Sequence, residues 1–164
     1  MHIRKLRRED KEPIRSILTE TDVFKSEEIN VALKLVEIVL ENEGQADYEI
    51  YCCGSDAGEV LGYLCFGPTP ITVGTFDLYW IAVKPSAQRQ GLGKRLLGFC
   101  EEVVQTKKGR LLVAETSSQP RYSNARTFYL QSGYAELGHI KDYYDVGDDL
   151  IIFGKYFRQE MRNP

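Results

Sequence analysis

The chain has 164 residues, of which 43% are hydrophobic and 27% charged, and its net charge is −3 at pH 7. This length suits one domain over residues 1–164, and the negative charge argues against nucleic acid as the main partner. No stretch approaches the ~20 uninterrupted apolar residues of a membrane helix, and the start of the chain has no apolar core of a signal peptide. We therefore expect a cytoplasmic protein without a membrane partner.

The four cysteines indicate neither a zinc site nor a disulfide framework. They are Cys52, Cys53, Cys65 and Cys100, with no C-x-x-C spacing, and the chain has only two histidines. We expect no metal, and cysteines that are reduced and mostly buried.

The first half of the chain predicts two helices and then a meander. Residues 2–6 alternate apolar and basic side chains and predict a short strand, followed by a short helix. Residues 26–44 give the clearest helix, with Ser26 as its cap and Gly44 at its end. Residues 48–83 contain β-rich runs separated by turn signals and predict three antiparallel strands.

The second half predicts alternating helices and strands. An apolar helical pattern follows Gly91 and extends to Gly109. Residues 110–116 read as a strand, residues 119–133 as a helix and residues 134–140 and 149–157 as the last two strands. The whole is a mixed α/β domain.

The stretch QRQGLGK, residues 88–94, joins two glycines to the start of a helix. The first turn of a helix has backbone N–H groups without helical partners and a partial positive charge, so it can bind an anion such as phosphate. Glycine lets the backbone approach the ligand closely. The alternative is that Gly91 and Gly93 only form a tight turn between a strand and a helix.

Other phosphate-binding motifs do not fit this stretch. A P-loop requires Ser or Thr after Gly93-Lys94, where Arg95 stands. The dinucleotide motif G-x-G-x-x-G requires a third glycine at the position of Leu96.

The pattern Q-x-x-G-x-G, given by Gln88, Gly91 and Gly93 after a strand and a short proline-containing loop, resembles the acetyl-CoA signature of the GCN5-related N-acetyltransferase (GNAT) superfamily. The predicted order of elements also resembles that fold over nearly all of the chain. The resemblance implies an α/β GNAT fold: a central mixed, largely antiparallel sheet of about seven strands flanked by about four helices.

The same resemblance implies where coenzyme A binds. Main-chain N–H groups would hold its pyrophosphate, and these belong to Gln88, Arg89, Gln90, Gly91, Leu92, Gly93 and Lys94. The exposed edge of Ile81, Ala82 and Val83 would pair with the pantetheine arm, unless this is an ordinary paired strand. Many relatives have an asparagine contact where this chain has Tyr122, so either Tyr122 or the nearby Asn124 would replace it.

Acetyl transfer to an amine requires removal of a proton. An ammonium of pKa ~10.4 costs roughly 4.6 kcal/mol to deprotonate at pH 7, and a carboxylate can take the proton directly or through water. By position, the resemblance offers Asp77 and Glu115 as alternative bases. Tyr129 lies in ARTFYLQSGY, which resembles the family segment whose tyrosine points at the coenzyme sulfur, and it is the candidate proton donor. It could instead be a core aromatic.

The stretch from His139 to Phe157 is rich in acidic and aromatic side chains, at a place where relatives often shape the acceptor pocket. Such a stretch would favour a cationic amine, although a polar hairpin is the simpler explanation. Candidate acceptor contacts are Tyr79, Asp142, Tyr143 and Tyr144.

We therefore expect an acetyl-CoA-dependent N-acetyltransferase. It would transfer the acetyl group directly in a ternary complex, without a metal, to a small-molecule or peptide amine, and a homodimer stays open. The alternative is a non-catalytic acyl-CoA-binding or sensing module on the same fold. A thiol intermediate is disfavoured because Cys65 and Cys100 lie in apolar patterns.

Overall fold

The computed structural model describes residues 1–157, which form seven strands and four α-helices. The strands are β1 (His2–Lys5), β2 (Glu49–Gly54), β3 (Val60–Pro68), β4 (Thr75–Val83), β5 (Leu111–Ser117), β6 (Ala135–Asp145) and β7 (Asp148–Tyr156). The helices are α1 (Lys11–Glu20), α2 (Ser26–Glu41), α3 (Leu92–Thr106) and α4 (Ser123–Gln131).

All seven strands belong to one sheet with the order β1-β2-β3-β4-β5-β7-β6. Neighbours β1–β2, β2–β3, β5–β7 and β6–β7 are antiparallel, and β4–β5 is parallel. This mixed, largely antiparallel sheet with four helices confirms the predicted fold class.

The described chain divides into two compact units. The first contains Met1–Gly67 and Tyr79–Cys100, and the second contains Pro68–Leu78 and the chain from Glu101 onward. The assignment of a single domain to residues 1–164 stays a prediction.

The core of the first unit forms where the apolar faces of α1 and α2 pack on β2 and β3. Ile14, Ile17, Val36 and Tyr63 are at most 1% exposed. Burying each such side chain contributes roughly 1.5–3 kcal/mol relative to leaving it in water. The helical spacing of the apolar residues in both helices therefore explains their packing.

An ion pair with a buried carboxylate and a partly exposed guanidinium joins β1 to the start of α1. The Arg4 guanidinium donates to both carboxylate oxygens of Asp10 at 2.7 and 2.8 Å, and the backbone N–H of Arg7 donates to Asp10 Oδ2. Burial alone would raise the pKa of Asp10, but these hydrogen bonds lower it below its usual value.

In the second unit, helices cover one face of the sheet. Phe153 on β7 stacks against Tyr129 of α4, and Lys155 forms an ion pair of 2.8 Å with Glu101 of α3. Side chains alternate between faces along a strand. Leu112 and Ala114 of β5 therefore face the helices, and both are at most 1% exposed.

Several predicted boundaries were wrong. Helix α2 begins at Ser26, with Lys25 at the cap position and its N–H bonded to the Glu28 carboxylate at 2.7 Å, and Asn42 rather than Gly44 ends it. Strand β6 extends to Asp145, because its second half pairs with β7 after a register shift.

Among the helices of residues 1–157, none is long and apolar enough to cross a membrane.

Candidate active site

The glycine-containing turn lies in the first unit, between the end of β4 and the start of α3. A short 3-10 turn, Pro85–Ala87, is followed by two residues in the left-handed region, Arg89 with φ 61° and Gly91 with φ 79°. A Cβ added to Gly91 would have no atom within 4 Å. The space in front of Gly91 is therefore open, as a closely approaching ligand requires.

The turn presents backbone donors without acceptors. The Gly91 carbonyl accepts the N–H of Arg95 at 3.0 Å, which is the first bond of the helix. Within residues 1–157, the N–H groups of residues 89–94 have no backbone acceptor. The side chains of Ala87 and Leu92 are buried and anchor the turn. Several free N–H groups at a helix start fit a bound phosphate group.

Two side chains of the turn bond to the backbone near it, and two others are exposed and positively charged. Gln88 Nε2 donates to the Val83 carbonyl at 3.0 Å and Gln90 Nε2 donates to the Ser86 carbonyl at 3.1 Å, so both amides brace the turn. Arg89 and Lys94 are exposed and supply positive charge.

The strand segment before the turn is paired on its β3 side. The N–H of Lys84 donates to the Leu61 carbonyl at 2.8 Å, and a Cβ added to Gly62 would lie 2.9 Å from the Ala82 carbonyl oxygen. On its other side, the ladder between β4 and β5 contains three pairs, from Thr75–Leu111 to Asp77–Val113. Ile81, Ala82 and Val83 lie beyond the last of these pairs.

The second unit brings the two candidate bases together. Asp77 is paired with Val113, and Glu115 lies two residues further along β5, so both carboxylates point to the same face of the sheet. Partial desolvation and the nearby Asp77 charge raise the pKa of Glu115. Asp77 accepts a hydrogen bond of 2.6 Å from the Thr69 hydroxyl. The sequence offered these residues as alternatives, whereas the structure shows them interacting.

The tyrosine candidates differ from Asn124 in burial. Tyr129 is 6% exposed, and its ring contacts those of Phe128, Tyr134 and Phe153 at 5.5–5.7 Å between centroids. Tyr122 is 8% exposed, while Asn124 is exposed. Tyr129 is thus held in one position by its packing.

A group of hydrogen bonds that the sequence did not predict ties the end of β5 to the β6–β7 hairpin. The buried Ser117 hydroxyl donates to Asp148 and accepts the N–H of Gln119, whose own side chain donates to the Gly147 carbonyl. The Ser118 hydroxyl oxygen accepts a hydrogen bond of 2.8 Å from the backbone N–H of Asp149. The only local sign of these bonds in the sequence is the pair of serines, Ser117 and Ser118, shortly before a proline. The sequence could not indicate their partners, which lie about 30 residues away along the chain.

The acidic and aromatic candidates on β6 are mostly exposed. Tyr143 and Tyr144 are 55% and 48% exposed, with their rings in an edge-to-face contact of 5.0 Å. The N–H of Asp142 and the His139 ring both bond to Asp149, and they lower the pKa of that carboxyl. Tyr79 lies in the first unit, with its ring 5.3 Å from that of Tyr48.

All four cysteines are buried and free of disulfides. Burial raises the pKa of Cys65 to about 12 and also raises that of Cys52. These thiols are poorly suited to act as nucleophiles near neutral pH.

Comparison with known proteins identifies relatives of this fold. Residues 46–136 match the family model of the acetyltransferase (GNAT) domain. A protein from Desulfovibrio desulfuricans, described as an acetyltransferase of the GNAT family, is 38% identical, with 94% of this chain and 98% of that chain covered and a TM-score of 0.89. No curated protein matches the sequence significantly.

Two further structures share the fold at lower identity. The ribosomal-protein-S18-alanine N-acetyltransferase of Escherichia coli is 20% identical over 99% of this chain and 97% of that one, with a TM-score of 0.77. An aminoglycoside 6'-N-acetyltransferase in complex with coenzyme A is 16% identical over 99% of this chain and 100% of that one, with a TM-score of 0.75. The family match, the high identity to the Desulfovibrio protein and the geometry of the turn agree. The chain belongs to the GNAT family of N-acetyltransferases.

Proposed function

We propose that this enzyme transfers an acetyl group from acetyl-CoA directly to a primary amine, with Glu115 as the base that accepts the amine's proton. The observation that carries this proposal is the pair of carboxylates, Asp77 and Glu115, on one face of the sheet, with the pKa of Glu115 raised. A carboxylate of higher pKa is a stronger base.

The turn at residues 88–94 would hold the diphosphate of the coenzyme. Its unpaired N–H groups would donate to the phosphate oxygens, and the exposed Arg89 and Lys94 would add charge attraction. Acetyl-CoA, when bound, supplies the thioester carbonyl that the amine attacks.

The two carboxylates have different proposed roles toward the acceptor amine. Together they attract an ammonium group by charge. Asp77 already accepts the Thr69 hydroxyl, so Glu115 is the freer of the two to take the proton. A deprotonated amine is required, because the ammonium form has no lone pair for attack.

Tyr129 is the proposed donor of a proton to the departing thiolate. Its ring is fixed by stacking on Phe153, which limits the positions of its hydroxyl. The raised pKa values of Cys52 and Cys65 support direct transfer rather than an acetylated cysteine.

The acceptor is proposed to be a cationic small-molecule or peptide amine. Two structural relatives are named for their acceptors, an alanine of a ribosomal protein and an aminoglycoside. Both are amines, which agrees with the carboxylate pair. A homodimer and a cytoplasmic location stay predictions.

Turnover of acetyl-CoA, followed through the free thiol it releases, tests the proposal with a panel of amines and peptides. We expect Glu115→Gln to lower kcat/KM at pH 7 by roughly 10²–10⁴-fold. Raising the pH by two units should recover about 100-fold, because more of the acceptor is then the free amine. Glu136→Gln is the matched control, since Glu136 pairs with Phe153 on the helix-covered face.

Full activity in Glu115→Gln would show that Glu115 is not the base. Coenzyme binding without turnover of any amine would instead support the non-catalytic acyl-CoA-binding alternative.

A further inference from the structure

We propose that the acceptor is a primary amine that carries one positive charge and an apolar segment beside it, rather than a polyamine. This inference rests on the proposed function and concerns the face of the second unit's sheet that carries Asp77 and Glu115. That face is called the open face below.

The strand register defines the open face. Glu115 is paired with Ile152, Val113 with Gly154 and Leu111 with Tyr156. Paired residues on neighbouring strands point to the same side of a sheet, so these side chains share the face of Glu115. The opposite face carries Phe153 and Lys155, which contact α4 and α3. The open face is therefore the one opposite these helix contacts.

Aliphatic side chains continue from Glu115 along the open face. A Cβ added to Gly154 would collide with Leu137 and would lie 3.2 Å from Leu111 Cδ1, so both leucines reach over this glycine. Leu137 is 43% exposed, and Val113 and Ile152 are partly exposed. The aliphatic strip consists of Leu111, Val113, Leu137 and Ile152.

The charges of the open face are all negative. Among the paired positions of β4, β5, β6 and β7 on this side, the carboxylates are Asp77, Glu115, Asp145 and Asp148, and Asp148 is buried against Ser117. A single ammonium would therefore be attracted to the end of the strip at Glu115. A second ammonium placed further along the strip, toward Leu111, would lie on aliphatic carbon and lose hydration without gaining a partner.

The length of the strip sets the size of the apolar segment. Leu111 and Glu115 are four residues apart, which spans ~13 Å at ~3.3 Å per residue. An alkyl chain, or an extended peptide of about four residues, fits this length. Complete burial of a methylene group strengthens binding about fourfold, and a half-open strip should give about twofold per methylene.

Kinetics with matched amines test the inference. Ethylamine and hexylamine differ by four methylene groups, so kcat/KM for hexylamine should be higher by roughly 15-fold. Hexane-1,6-diamine has the same chain with a second ammonium and should fall at least about tenfold below hexylamine. A second set of measurements compares kcat/KM for peptides that carry apolar or polar residues after the N-terminal amine. These values distinguish a peptide acceptor from an alkylamine.

Substitutions in the strip should change the selectivity. Val113→Thr keeps the β-branched shape of the side chain, and Val113 and Leu137 are both partly exposed on their strands, so both variants should fold. Each should lower the hexylamine-to-ethylamine ratio of kcat/KM by about threefold or more. Val31→Thr on α2, where Val31 is 53% exposed, is the control and should leave this ratio unchanged.

The outcomes separate the inference from the proposed function. If hexane-1,6-diamine equals or exceeds hexylamine while turnover is robust, the enzyme is a polyamine acetyltransferase and the inference is wrong. If no amine is acetylated, the proposed function fails and the inference with it. If the wild type is a dimer in solution that Leu137→Thr dissociates, the strip is covered by a second copy, which also overturns the inference.

Discussion

Replacing Gly91 by alanine should separate coenzyme binding from folding. Gly91 has φ 79°, and its added Cβ would meet no atom within 4 Å. The cost to the fold is therefore limited to the left-handed backbone, ~1–2 kcal/mol, or a fall in Tm of about 2–8 °C. The methyl group would point into the open space in front of the turn, where the diphosphate is proposed to bind. Loss of one N–H bond to a charged oxygen costs ~1.5–3 kcal/mol, so the Kd for coenzyme A should rise at least about tenfold.

Gly58→Ala is a closely matched control for this experiment. Gly58 has φ 86°, also with nothing within 4 Å of an added Cβ, but it lies in the turn between β2 and β3. Both variants should lose similar stability in thermal unfolding, and only Gly91→Ala should weaken coenzyme binding in calorimetric titration. Equal Kd values for the two variants would refute the assignment of the turn at residues 88–94.

Three further predictions concern single side chains. Asp77→Asn removes the negative charge that raises the pKa of Glu115, so the acidic limb of the kcat/KM profile should move to lower pH; an unmoved limb would contradict the coupling. Tyr129→Phe should keep the stacked ring and the Tm but lower kcat roughly 100-fold, whereas Tyr134→Phe next to it should not. Asp10→Asn should lower the free energy of unfolding at pH 7 by ~3–5 kcal/mol. Because the folded pKa of Asp10 is lowered, this advantage of the wild type should shrink progressively as the pH falls below about 4 and toward the lowered pKa, as urea unfolding at pH 7 and pH 3 would show.

Local patterns in the sequence were sufficient to predict most elements and the glycine turn. The turn is specified by neighbouring residues, because Gly91 provides the left-handed conformation and the apolar pattern after it starts α3. The bonds of Ser117 and Ser118 to the hairpin could not be predicted, since they join residues 31 apart in the chain. The length of β6 was missed for the same reason: its pairing with β7 resumes at Asp145 after a register shift.

The closeness of Asp77 and Glu115 depends on strand register rather than on sequence pattern. The β5 sequence LLVAE is apolar at four consecutive positions, so it does not indicate which side of the strand is covered. A slip of one residue would move Glu115 to the face of Phe153 and the helices. The observed register instead places Leu111 and Val113 beside the carboxylates, only partly covered by protein. Leu137 reaches over Gly154 and continues this partly exposed aliphatic surface beside the two acids. A ligand with an apolar segment explains this surface better than the stability of the fold alone.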